Sequence, residues 1–129
     1  MALLEDIVAY LITEGIATEF GKDIFINFLP QEPDEVVVID EYGSDGTQVG
    51  YEAYGRYIQI LNRAENVSDA SSKSQQLFSS LVKELCPIIS LTSSLDVVIV
   101  ALQRPFKVMV DDKERVSYAF NIRVLTHTN

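Results

Sequence analysis

In VSYAFNIRV, residues 116–124, every second side chain is large and apolar: Val116, Tyr118, Phe120, Ile122 and Val124. The residues between them, Ser117, Ala119, Asn121 and Arg123, are smaller or polar. Side chains alternate across an extended chain with period two, so this segment is a strand with one greasy face. Just upstream, Asp111, Asp112 and Lys113 supply the polar break of a hairpin, and DVVIVAL, residues 96–102, supplies its other arm. The rest of the chain has to cover the greasy face.

Two amphipathic segments can do so. Residues 2–18 carry Leu3, Leu4, Ile7, Val8, Leu11, Ile12 and Ile16 at helical spacing. Glu5 and Asp6 fall in the first turn, where negative charge suits the helix dipole, and Gly15 and Gly21 mark the exit. The second helix is predicted from Ser68, as N-cap, to Cys86, with Pro87 ending it. Its stripe is Ala70, Ser74, Leu77, Phe78, Leu81, Val82 and Leu85, while Ser72, Lys73, Gln76 and Lys83 face water.

Between the helices lie three predicted strands. Residues 23–29 (DIFINFL) form a short one stopped by Pro30. Residues 36–41 form a second, whose VVVI run suits a well-buried position. Residues 56–63 form a third, antiparallel to the second. Residues 42–55, with four of the six glycines and the Asp45-Gly46 turn signal, read as a long exposed connection. Residues 88–94 read as an irregular crossover. Residues 103–115 are either a bent continuation of the fourth strand or an exposed flap, and the final THTN frays. The expected fold is therefore α+β, in the order α-β-β-β-α-β-β. It has a mainly antiparallel sheet of four to five strands with both helices on one face.

At 129 residues, 47% apolar and 22% charged, the chain reads as one soluble domain with a genuine core. No apolar run is long enough for a membrane span, and acids replace the basic start of a signal peptide. A single cysteine, Cys86, excludes an internal disulfide and a cysteine-based zinc site. The Asn66-Val67-Ser68 sequon reads as chance without export. The net charge of −9 is uneven: residues 1–55 hold twelve acids and one base (−11), and residues 56–129 hold seven acids and nine bases (+2). No basic patch for phosphate binding is present. Acidity keeps a protein soluble, and unlike halves also favour head-to-tail contact between copies.

Signs of catalysis are weak. The one histidine, His127, stands near the end of the chain, so a serine–histidine or cysteine–histidine relay would hang on a frayed tail. Cys86, beside Leu85 and Pro87, reads as a structural thiol, and the serines of residues 68–80 read as helix surface. No phosphate-cradling glycine motif occurs. Glu41, Asp45, Gly46 and Glu52 fall at positions 1, 5, 6 and 12 of a calcium loop. Gly43 at position 3 and flanking strands instead of helices argue for a solvated turn. Neither a cofactor nor a metal is expected.

Partner-binding groups are easier to find. Phe106, Val108, Met109 and Val110 stand beside Lys107, Asp111 and Asp112; they are either a docking surface or a strand tucked against the domain. Tyr42, Tyr51 and Tyr54 pose the same choice in the first long connection.

Read in order, LLEDIVAYL (residues 3–11), IFINFLPQEPDEVVVIDEYG (24–43), IQILNRA (58–64), a helix, and LQRPFKVMVDDKERVSYAFNIRV (102–124) carry a family resemblance. Together they resemble the minor capsid or tail terminator (tail completion) proteins of long-tailed bacteriophages. The resemblance covers nearly the whole chain and consists of patterns of fold rather than of chemistry. It implies a non-enzymatic structural protein that forms a hexameric ring on the end of the tail tube, stops tube polymerisation and offers the head–tail joining surface. The implied partners are further copies of the chain, the tail tube protein and a head-completion or connector protein. DNA would pass through an acidic lumen without being bound, and no membrane is involved. The implied place is the tail or neck of the virion, reached from the host cytoplasm during assembly. Candidate subunit or tube contacts are Tyr42, Tyr51, Tyr54, Arg104, Phe106, Lys107, Met109 and Arg115; charge reversal at Arg104 or Arg115 is expected to weaken the ring and leave the monomer folded. The competing reading is a small adaptor or regulatory domain that binds one protein partner.

Overall fold

The greasy side of the last strand lies against the second helix, and the first helix packs toward the edges of the same sheet. A computed structural model describes residues 3–44, 53–83, 88–92 and 95–127. Its elements are α1 (Leu3–Thr13), β1 (Ile24–Ile26), β2 (Val36–Ser44), β3 (Ala53–Ala64), α2 (Val67–Leu81), β4 (Ile88–Thr92), β5 (Leu95–Val110) and β6 (Val116–His127). The strands make one six-stranded sheet in the order β1-β2-β3-β6-β5-β4. β1 runs parallel to β2, and every other pair is antiparallel.

The core forms where the helices meet the sheet. Leu3, Ile7 and Leu11 of α1 and Leu77, Phe78 and Leu81 of α2 pack with Val37, Ile39, Ile58, Ile60, Phe120, Ile122 and Val124. Burying each such large side chain contributes roughly 1.5–3 kcal/mol. Phe78 meets Phe120 edge to face, with centroids 5.2 Å apart. α2 covers the sheet's middle, β3, β6 and β5. α1 touches β4 at one edge and β1 and β2 at the other, so the sheet curls around it. The Tyr10 hydroxyl donates to the Ser80 carbonyl (3.1 Å), linking the helices.

Several sequence expectations change here. α1 stops at Thr13 rather than Thr18. Gly15, at φ 79°, turns the chain left-handed, and the Gly15 and Ile16 N–H groups bond back to Ile12 and Leu11 (3.0 Å each). Ile16 then folds against the core, which closes the helix end. The second helix begins one cap earlier than predicted: Asn66, not Ser68, is the N-cap, its side-chain oxygen accepting from the Asp69 N–H (2.8 Å). Cys86, Leu85 and Pro87 lie outside the described residues.

The sheet is also larger than four or five strands. Residues 88–92, read as a crossover, pair with β5 as an edge strand, and the Ser90 hydroxyl donates to Asp96 (2.6 Å). The connection read at residues 42–55 is strand at both ends: β2 runs to Ser44 and β3 starts at Ala53. Tyr51 and the calcium-like positions Asp45, Gly46 and Glu52 lie outside the described residues. Thr126 and His127, expected to fray, pair with Tyr54 and Ala53 of β3. Of the two readings offered for residues 103–115, the bent continuation holds, since β5 runs unbroken to Val110.

Candidate interaction surface

β5 is the element on which exposed chemistry collects, and its shape follows from its sequence. Three register shifts against β6, at residues 101/103, 103/106 and 107/109, put extra residues into β5. Such bulges bend a strand and raise its twist. Pro105 lacks the N–H that a central strand needs, so this part of β5 suits a sheet edge. β4 pairs only as far as Val98; from Ile99 to Val110 the outer edge of β5 has no neighbouring strand among the described residues.

Along that edge the apolar side chains are uncovered. Val100, Leu102, Val108, Met109 and Val110 are between 42% and 51% exposed. Arg104 and Lys107 are exposed among them. The Arg104 guanidinium lies over the Phe78 ring at 5.3 Å, which ties the head of this side chain to α2. Phe106, opposite Ala119, is half-buried, so it roots the segment.

The sheet face away from the helices is polar in its middle and strapped at one end. Gln59, Asn121 and Gln103 form a hydrogen-bonded ladder across β3, β6 and β5, at 3.2 and 2.9 Å. At the strapped end Arg63 is buried. It donates to the carbonyls of Pro30 (2.9 Å), Gln31 (3.3 Å), Pro33 (2.5 Å) and Asp34 (3.1 Å). Burial, and the like charge of Arg115 nearby, push the Arg63 pKa down. Arg115 donates to Gln31 O (2.5 Å), Asp34 Oδ1 (3.3 Å) and Asp111 Oδ2 (2.9 Å).

This network changes the expectation for Arg115. It is buried and spent on its own chain, so charge reversal there would strike the fold and not a free contact. Sequence reasoning missed the strap because its acceptors are backbone carbonyls, which no residue pattern marks. Asp111 completes the corner: burial raises its pKa, but the backbone N–H and guanidinium of Arg115 and the Lys113 N–H outweigh it and hold the carboxyl low.

The tyrosines are only partly placed. Tyr42 is 53% exposed and stacks on Tyr57, with centroids 6.1 Å apart. Tyr54 is placed by its backbone alone. Beside Tyr42, Glu41 takes two hydrogen bonds from Arg56 (2.6 and 2.8 Å), a forked pair that closes this end of the sheet. Glu41, the first position of the calcium-like pattern, is thus already engaged. No group of three or more potential metal-binding side chains occurs among the described residues.

A groove opens at the other end of β2, with a volume of about 400 Å³. Ile16, Val37 and Ala64 line it together with the acids Asp23, Glu35 and Asp69 and the cations Arg63 and Lys73. Burial raises the Asp23 pKa, but the N–H groups of Glu19 and Thr18 and the Thr18 hydroxyl outweigh it and hold the carboxyl low. Among the described residues no helix is long and apolar enough to cross a membrane. What this arrangement offers is surface for protein contact: an apolar edge with cations, and a groove with acids.

Residues 10–127 match the model of the family described as "Bacteriophage tail terminator protein". No curated protein matches the chain.

Proposed function

The chain belongs to the bacteriophage tail terminator family, and from that premise we propose that it ends the growing tail tube. It is a structural tail protein of the virion, from a family that is not one of enzymes. In the proposed role, copies assemble into a hexameric ring on the tube's last layer, halt further addition of tube subunits, and present the surface to which the head joins. The partners are other copies, the tube protein and the head-completion or connector protein.

The observation that carries this reading is the match over residues 10–127. Two features support it. A closed ring needs a heterologous contact, and the long uncovered edge of β5 is a one-sided surface of the required kind. The −11 balance of residues 1–55 suits a passage that DNA crosses without sticking.

The test is to add the purified protein to tail tubes of its own phage during polymerisation and image them by negative stain. Capped ends and tubes that stop growing are expected. Tubes that keep growing with bare ends would overturn the role.

A further inference from the structure

We infer that residues 104–110 of one copy dock in the groove beside Glu35 of a second copy, a contact that rests on the ring-forming role proposed above. The two surfaces complement each other in charge. Residues 104–110 hold two cations and no acid; Arg104 is held over Phe78 of its own chain, and Lys107 is the cation offered to a second copy. The groove holds three acids and two cations, a balance of −1; Asp23 and Asp69 are hydrogen-bonded within the chain, which leaves Glu35 as its open acid, and both cations turn their N–H groups to carbonyls. Arg63 is bound to the carbonyls of residues 30–34, and the Lys73 ammonium donates to the Ile16 carbonyl. Glu35 is exposed and pairs with no described residue, as is true of Lys107 on the other surface.

They also complement each other in apolar character. Val108, Met109 and Val110 are 42–51% exposed at the end of β5, and Ile16, Val37 and Ala64 give the groove an apolar part of its lining. A volume of about 400 Å³ has room for side chains of this size. Backbone pairing along the β5 edge is a poorer alternative, because Pro105 and three register shifts blunt it. Docking through side chains remains.

The occupant is a second copy because both halves of the contact are present on this one chain. Copies with a net charge of −9 repel at long range, so a local meeting of unlike patches is what lets them approach. The segment and the groove consist of different residues, so the contact is head to tail and can close into a ring.

A charge swap tests this. Lys107→Glu and Glu35→Lys should each raise the concentration for half-assembly about tenfold, measured by light scattering with and without tail tubes. Both residues are exposed, so circular dichroism should stay that of the wild type. The double variant restores the pair in every contact and should recover assembly. In a second measurement, Lys107→Cys with Glu35→Cys, both in a Cys86→Ser background, should give oxidised ladders of linked subunits, while each single variant gives dimers at most. If the wild type caps tubes but the double variant is no better than the singles, the docking inference falls and the terminator role stands. If the wild type neither associates nor caps tubes, both fall.

Discussion

Arg63 and Arg115 hold one and the same carbonyl, that of Gln31, from the end of β3 and from the residue before β6. Between them they fasten residues 30–34 over the face of the sheet that the helices leave bare. Two like charges tolerate this closeness because Asp34 and Asp111 lie beside them, and because backbone carbonyls accept the N–H groups.

Removing Arg63 takes the donors from the Pro30, Pro33 and Asp34 carbonyls, while Arg115 keeps that of Gln31. Arg63→Ala should cost about 2–4 kcal/mol in urea unfolding, the range for orphaned buried acceptors together with lost charged hydrogen bonds. Arg115→Glu should lower the melting temperature of the isolated monomer. A variant of Arg63 within about 0.5 kcal/mol of wild type would show that the strap does not hold the fold.

The cap of α2 can be checked in the same way. Asn66→Ala should destabilise by about 1 kcal/mol, while Ser68→Ala, at an exposed position inside the helix, should stay within about 0.5 kcal/mol. The reverse order would return the cap to Ser68.

Gly15 is left-handed at φ 79°, and nothing lies within 4 Å of where a Cβ would stand. Gly15→Ala should therefore cost about 1–2 kcal/mol from backbone strain alone, without a clash. Denaturant midpoints measure it, and an unchanged midpoint would mean that the end of α1 is not set by this residue.

Acid should loosen the sheet through Glu41. Two hydrogen bonds from Arg56 hold its carboxyl below the usual range, burial opposes them, and the Arg56 charge adds to the lowering. A carboxylate with a lowered folded pKa contributes stability above its unfolded pKa of about 4, and this is lost as pH falls through the folded value. Melting temperature should accordingly drop below about pH 4, and Glu41→Gln should flatten that drop while lowering stability at neutral pH. Identical pH profiles for the two proteins would rule out the pair as a source of the acid response.

Much of this was readable in advance. Helical spacing in residues 3–11 and 70–81 and alternation in residues 116–124 mark which side chains face the core, because burial of apolar groups acts on local periodicity. The antiparallel pairing of β2 with β3 follows from the turn-rich residues between them. The resemblance in residues 24–43 and 102–124 pointed to the family that residues 10–127 match.

What stayed hidden depended on partners distant in the chain. Residues 88–92 become a strand only because the uncovered edge of β5 at residues 95–98 accepts them. β1 joins β2 in parallel, an arrangement that no short turn between them announces. Arg115 looked like a free charge until the strap, more than 80 residues away in sequence, was folded onto it. By itself the sequence determined the family, the two helices, and which face of the central strands is buried, since each rests on local pattern. Only the tertiary structure decided the sheet order, the place of β4 and the roles of the arginines, since hydrogen-bond partners across the fold carry no signature in local sequence.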